Sequence, residues 1–488
     1  MDDLAKEIRK YKLDALLLLL AELSRDLYSS RNFMKEVEWN RYMSGSLFGF
    51  KQWLPAWSLA DLSYLAIQNS NDYKSLNPTI QDIYKLNNIL AGMGNEIAKK
   101  RREEIAREDM KTHILLGLSQ KQFWYQEIIR GGNLYYNFLR YYILLHQMPK
   151  YFPAHKSPDK DLLEITGFDI KSFSQLLMAG WAYNINVSPL MKIKISDDLK
   201  ENYPTLTEEN FQKCIDIFTA DYAYYRKPGF PNNPLFVKPI IRTDTNKLII
   251  SNSFIWARKF YEGIYWIIRD KYMQQNSQTF FNNFGEYYER YTEEILAYYL
   301  TPDRYDRIAT TGNSQKADWL IYTEQYILVV EQKSCLMTIA LKDEYPSPHK
   351  LDEYLDNFKE AYLQIAETVK TINALGKKII KLILHFEKFY LGEAVIKERM
   401  KYLYKNDVDG MSNYFFIDTG EFEKLIQVLG DDEEIFNKII ETKIDYEDNA
   451  PIAEGREFQP IIDRVAKLKD IRFLDRYDYL FEGLFKGL

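Results

Sequence analysis

The sequence predicts an α/β protein whose N-terminal half is mainly helical. Two observations predict it: up to about residue 240 the apolar residues recur at helical spacing, and beyond that point short β-rich runs alternate with long amphipathic stretches. A third sets its scale. The chain has 488 residues, 46% hydrophobic and 15% aromatic with 38 Tyr, which is too many rings for a disordered protein and enough length for two or three packed units.

In chain order, Leu13, Leu16, Leu17, Leu20, Leu23 and Leu27 mark one helix face, with Asp14, Glu22 and Arg25 opposite, and the helical pattern runs from Leu4 to about Met148. The apolar run Ala15–Ala21 is bracketed by Asp14 and Glu22 and falls short of the roughly 18 residues a bilayer span needs, so neither anchor nor signal peptide is expected. Pro149, Pro153 and Pro158 suggest a sub-boundary near 149–160. Helical stretches follow at Phe173–Trp181 and Glu209–Tyr225. The cluster KPGFPNNP at Lys227–Pro234 changes the texture, dividing a mainly helical domain, 1–240, from a second domain, 241–488, with helical additions at its C-terminal end.

In the second domain Lys247–Ser251 reads as a strand, and Phe254–Tyr272 and Phe280–Leu300 as helices. Asp318–Tyr322 (DWLIY) and Tyr326–Ser334 (YILVVEQKS) are β-rich and separated by only Thr323–Gln325, a hairpin signal. Helix Leu351–Leu375, strands Lys378–Tyr390 and Tyr414–Ile417, and helices Glu421–Leu429 and Asp432–Thr442 complete the order.

Charge and composition exclude several classes. A net charge of −6 does not suit a polybasic protein that grips nucleic acid over its whole surface, but leaves room for a local groove. Cys214 and Cys335 are the only cysteines, which provides no disulfide framework and no cysteine-ligated zinc, and fits a reducing, cytoplasmic compartment. The five histidines, His113, His146, His155, His349 and His385, lack metal-binding spacing, and His385 reads as a packed strand residue. Gly131-Gly132 and Gly92-Met93-Gly94 do not form a phosphate-binding loop, and there is no Gly-x-Ser-x-Gly elbow.

One constellation carries chemistry. With a two-residue turn at Glu324-Gln325, Thr323 faces Tyr326, and Asp318 falls opposite Glu331 with Lys333 on the same strand face. Two carboxylates so placed repel, and a divalent cation is their natural compensation, while a neighbouring ammonium suits a developing charge on phosphate. The sets Ala317–Ile321 (ADWLI) and Val329–Ser334 (VVEQKS) resemble the PD-(D/E)xK nuclease superfamily, over about Lys238 to Thr442. The resemblance implies a restriction-endonuclease-like αβββαβ core with a mixed central sheet flanked by helices.

It further implies that Asp318 and Glu331 bind Mg²⁺, with Mn²⁺ able to substitute, that Gln332 adds a backbone carbonyl, and that Lys333 positions or activates the water. The stretch Gly285–Tyr291 (GEYYERY) matches the family's helix before the hairpin and assigns Glu289 as a further ligand or base; Gln364 in AYLQIAET matches a Gln of some branches. No Pro precedes Asp318, a departure that many members share. The implied activity is a metal-dependent endonuclease, a phosphodiester hydrolase with DNA a better fit than RNA. By analogy with a large helical companion domain, the resemblance extends to bacterial restriction and antiviral, anti-phage defence nucleases, with the helical part serving a protein partner or homo-oligomer. An RNase or structure-specific nuclease with the same site, or a binding module that keeps the fold without cutting, fits the same residues.

Other residues are weighed beside it. Lys377, Lys378 and Lys381 are expected to line a substrate groove. Glu286 and Glu293 read as a solvated face, Asp303 and Asp306 as loop acids with Arg neighbours, and Lys99–Arg102 as a charged helix face. The second Glu-x-Lys, Glu441-Thr442-Lys443, lies in a helical pattern. The ring-rich stripes Tyr135–Tyr142 and Ala220–Tyr225 read as core.

Overall fold

A computed structural model describes residues 2–43, 46–100, 119, 121–129, 133–192, 194–230, 232–308, 316–338, 341–342, 348–388, 393–404, 414–449, 457–468 and 470–485. The chain is mixed α/β, and its contacts divide it into two units: Met1–Glu103 with Gln122–Ser277 and Tyr479–Leu488, and Glu104–Lys121 with Gln278–Asp478. The Lys99–Arg102 run and the Gly131-Gly132 pair lie outside the residues whose side chains are described.

The first unit is not wholly helical. Strands β1 (Met34–Met43) and β2 (Ser46–Pro55) form an antiparallel hairpin with Met34 opposite Pro55, where helical spacing had been read. The residues explain the difference: Val37, Trp39, Tyr42, Phe48, Phe50 and Trp53 favour a pleated ribbon, and Pro55 cannot continue a ladder. A second, three-stranded sheet joins β3 (Thr219–Asp221), β4 (Ile240–Arg242) and β5 (Leu248–Ile250). The leucine face of helix Leu13–Ser29 is buried as read. Asp14, assigned to the polar face, is buried instead, accepting hydrogen bonds from the Tyr222 hydroxyl at 2.7 Å and the Thr245 hydroxyl at 3.0 Å.

The units separate between Ser277 and Gln278 rather than at residue 240. Helix Ser253–Gln274 is the cause: it buries Phe254, Trp256, Phe260, Ile264 and Ile268, and Phe260 stacks on Phe138 at 4.6 Å within the first unit. The KPGFPNNP cluster therefore falls inside the first unit, where Asn233 Nδ2 donates to the Ala60 carbonyl at 3.1 Å. The proline stretch near 149–160 is likewise internal, forming a short 3-10 turn, Met148–Tyr151, and helix Pro158–Thr166.

The second unit is built on a five-stranded sheet of order β10-β9-β8-β7-β6. Its elements run α1 (Thr279–Tyr299), β6 (Tyr305–Arg307), β7 (Trp319–Tyr322), β8 (Tyr326–Lys333), α2 (Pro348–Thr371), β9 (Lys378–His385), α3 (Glu393–Leu403), β10 (Tyr414–Asp418), α4 (Thr419–Asp431) and α5 (Glu433–Asn449). β6, β7 and β8 are antiparallel; β8, β9 and β10 are parallel. β6 was read as loop, because three residues with two charges carry no β-pattern.

α2 covers one sheet face, packing Leu355, Phe358, Tyr362 and Ile365 with Val329, Ile383, Tyr414 and Phe416. α1 meets α4 through Tyr288 and Thr419, whose hydroxyls share a hydrogen bond at 2.6 Å, and through Tyr291, which donates to Glu423 at 2.6 Å. Gly430 allows their close approach, since a Cβ there would lie 2.8 Å from the Tyr299 carbonyl oxygen. Asp418 ends β10 and caps α4 reciprocally with Glu421.

Candidate active site

Thr323 closes the β7–β8 hairpin. Its N–H donates to the Tyr326 carbonyl at 3.0 Å, and its hydroxyl accepts the Tyr326 N–H at 2.8 Å. That turn places Trp319 opposite Val330, the register expected, so the next position brings Asp318 to Glu331. The Asp318 N–H donates to the Val330 carbonyl at 3.1 Å, and the Asp318 carboxylate accepts the Gln332 N–H at 2.8 Å.

Strand alternation sends Val329, Glu331 and Lys333 toward α2. Glu331 is only 2% exposed; its Oε1 lies 2.9 Å from the Lys333 ammonium, and its buried Oε2 has no hydrogen-bond partner. From α2, Gln364 Oε1 accepts a second bond from Lys333 at 2.9 Å. One turn further along, the Thr368 hydroxyl accepts the Ala317 N–H at 2.8 Å, so the same helix holds the residue before Asp318. Gln332 points its side chain to the other face, where both amide atoms are buried without partners.

Burial sets the electrostatics. It raises the Glu331 carboxyl to about 8, with Asp318 adding repulsion and Lys333 opposing. It also raises Asp318, against the Gln332 N–H and the Lys333 charge. Burial and then Asp318 push Glu289 up to about 7. Both carboxyls are thus pushed toward their protonated forms, as burial and mutual repulsion require of two neighbouring acids.

Glu289, whose carboxyl feels the Asp318 charge, is ion-paired with Arg307 of β6. Arg307 was not singled out in the sequence, since β6 itself was not legible there. The lysines expected to line a groove are not brought together. β9 runs parallel to β8, so Lys378 lies beside Tyr326, seven residues and about 23 Å along the strand from Lys333. Lys377 donates to the Thr323 carbonyl at 2.6 Å, at the same remote end. Lys381, beside Val329, is the nearest of the three, and burial lowers its ammonium pKa. Asp306 accepts from the Tyr322 hydroxyl at 2.9 Å rather than from an arginine. Lys443 is fully buried in α5 and ion-paired with Glu393, which gives the second Glu-x-Lys a purely structural place.

Among the described residues no cluster of three or more His, Cys, Asp or Glu side chains stands ready to hold a metal ion. Mg²⁺ does not require one, because it keeps several waters and binds proteins through one or two carboxylates. The residues fit it on two counts: Asp318 and Glu331 are hard oxygen donors side by side, and the orphaned Glu331 Oε2 lacks any other counterpart. Asp318 and Glu331 would hold the ion, with the Gln332 carbonyl and Glu289 as further oxygen donors.

No family model, curated protein or solved structure matches the chain. The site therefore stands on its own geometry. Two carboxylates on facing strands, one ammonium fixed by a helix amide, and a third acid at the rim form a set suited to charge stabilisation at a phosphoryl group. Among the described residues no helix is long and apolar enough to cross a membrane.

Proposed function

We propose that the second unit is a Mg²⁺-dependent nuclease of the PD-(D/E)xK kind, hydrolysing phosphodiester bonds in DNA. The observation that carries it is the approach of Lys333 to both Glu331 and Gln364, at 2.9 Å each, beside an Asp318 fixed by the Gln332 N–H. The order α1-β6-β7-β8-α2-β9 is the αβββαβ arrangement that the motif implies, and it supports the same reading. Bound Mg²⁺ would supply positive charge against the oxygens of the phosphoryl group.

The chain's own residues do the rest. With the cation bound, Asp318 and Glu331 would be ionised, any proton they carry passing to solvent, and provide the anionic cradle. Lys333, 18% exposed, keeps its ammonium toward the carboxylates and donates to the attacking water, orienting it at phosphorus. Gln364 restricts Lys333 to that direction. Glu289, raised to about 7, is poised to take a proton from that water near neutral pH. Incubating the protein with DNA and RNA, single and double stranded, in Mg²⁺ and in EDTA tests this. Mg²⁺-stimulated cleavage of DNA is expected; equal product in EDTA, or none on any substrate, would overturn it.

A further inference from the structure

Arg307 sits on the edge strand β6, opposite Trp319, with its guanidinium 5.9 Å from that buried indole ring. It is ion-paired with Glu289, and its charge also acts on Asp318. Two cations thus reach the three acids of the site, and they differ in access. Lys333 is 18% exposed and already bonded to Glu331 and Gln364, whereas the Arg307 side chain is 59% exposed. A guanidinium has five donors in a planar fork, matching a phosphodiester's two free oxygens, and at 59% exposure that of Arg307 is open to solvent as well as to Glu289.

Resting on the nuclease reading, we propose that Arg307 is the substrate-phosphate clamp of this site: without metal it neutralises Glu289, and once a divalent cation occupies the carboxylates it exchanges Glu289 for a backbone phosphate of duplex DNA. The exchange conserves charge. The cation takes over neutralisation of the acids, and the guanidinium passes from a carboxylate to a phosphate without being stranded.

The test is fluorescence anisotropy of a labelled duplex DNA with full-length protein in Ca²⁺ and in EDTA, across a salt series, beside calorimetric titration of Mn²⁺ without DNA. Arg307→Ala is expected to weaken Ca²⁺-dependent DNA binding by about tenfold or more and to flatten the log–log salt slope by about one, with Arg307→Lys between it and wild type. Mn²⁺ affinity of Arg307→Ala should be unchanged or tighter, since Glu289 is released. If wild type binds DNA with Ca²⁺ and Asp318→Asn loses that dependence, yet Arg307→Ala keeps the wild-type affinity and slope, the clamp is wrong and the nuclease reading stands. Mn²⁺ binding that is lost in Arg307→Ala would also overturn the clamp, by making Arg307 a support of the metal site. If wild type binds no DNA under any condition, both fall.

Discussion

At the scale of single residues, Glu331 is a buried carboxyl whose environment opposes its charge. Its folded value of about 8, against an ordinary 4.5, means the folded chain holds that proton more tightly than the unfolded chain does. The resulting stability is fully present below about pH 4.5 and is lost as pH rises toward 8. In EDTA, Glu331→Gln should therefore be more stable than wild type above pH 8, by on the order of 3 kcal/mol in denaturant unfolding, with the difference fading under acid conditions. Added Mg²⁺ should stabilise wild type and leave the variant unmoved. Parallel pH profiles of the two proteins would contradict this assignment. Gln364 acts one step removed, through Lys333. Gln364→Ala should lower kcat by about 10- to 100-fold with KM little changed, as measured by steady-state cleavage kinetics.

At the scale of elements, two lysines in identical Glu-x-Lys settings should behave oppositely. Lys443 on α5 is fully buried against Glu393, which also pairs with Lys397 at 3.1 Å, so Lys443→Ala takes one of two cations from a buried carboxylate and should cost about 3 kcal/mol in denaturant unfolding. Lys333→Ala should leave stability nearly unchanged, because the Glu331 carboxyl, already raised to about 8, is then neutralised by a proton instead. Gly430→Ala should destabilise by about 1 to 3 kcal/mol, because its Cβ meets the Tyr299 carbonyl oxygen at 2.8 Å.

The hairpin was readable because its register follows from one short turn, and with it came Asp318, Glu331 and Lys333. Gln364 was readable only through the motif; nothing in the spacing alone directs a helix amide to Lys333. The strand β6, the β1–β2 hairpin and Arg307 were not readable. Three residues with two charges carry no periodicity, and the β-favouring residues of β1–β2 lie within a longer run of helical spacing that masks them.

At the scale of the molecule, the boundary moved for a packing reason. Helix Ser253–Gln274 looks like part of the strand-rich half by order, yet it buries its aromatic face in the first unit, where Phe138 receives Phe260. Much of the ring content lies in such cores: Tyr125, Tyr225 and Trp256 in one unit, and Tyr287, Tyr288, Tyr291 and Tyr414 in the other, are buried. The net charge of −6 provides no overall attraction for a polyanion, and without metal the two cations of the site are engaged by its own acids. DNA affinity should accordingly be strongly dependent on divalent metal at moderate salt, and anisotropy with and without Ca²⁺ measures it.

The central claim is that Lys333, held between Glu331 and Gln364, works on a phosphodiester beside a metal-binding Asp318–Glu331 pair. The most direct measurement compares wild type and Lys333→Ala on duplex DNA in Mg²⁺, with melting curves recorded on the same samples. Cleavage by wild type and its loss in a variant with an unchanged melting temperature is the expected result. Equal cleavage by the two proteins would contradict the claim.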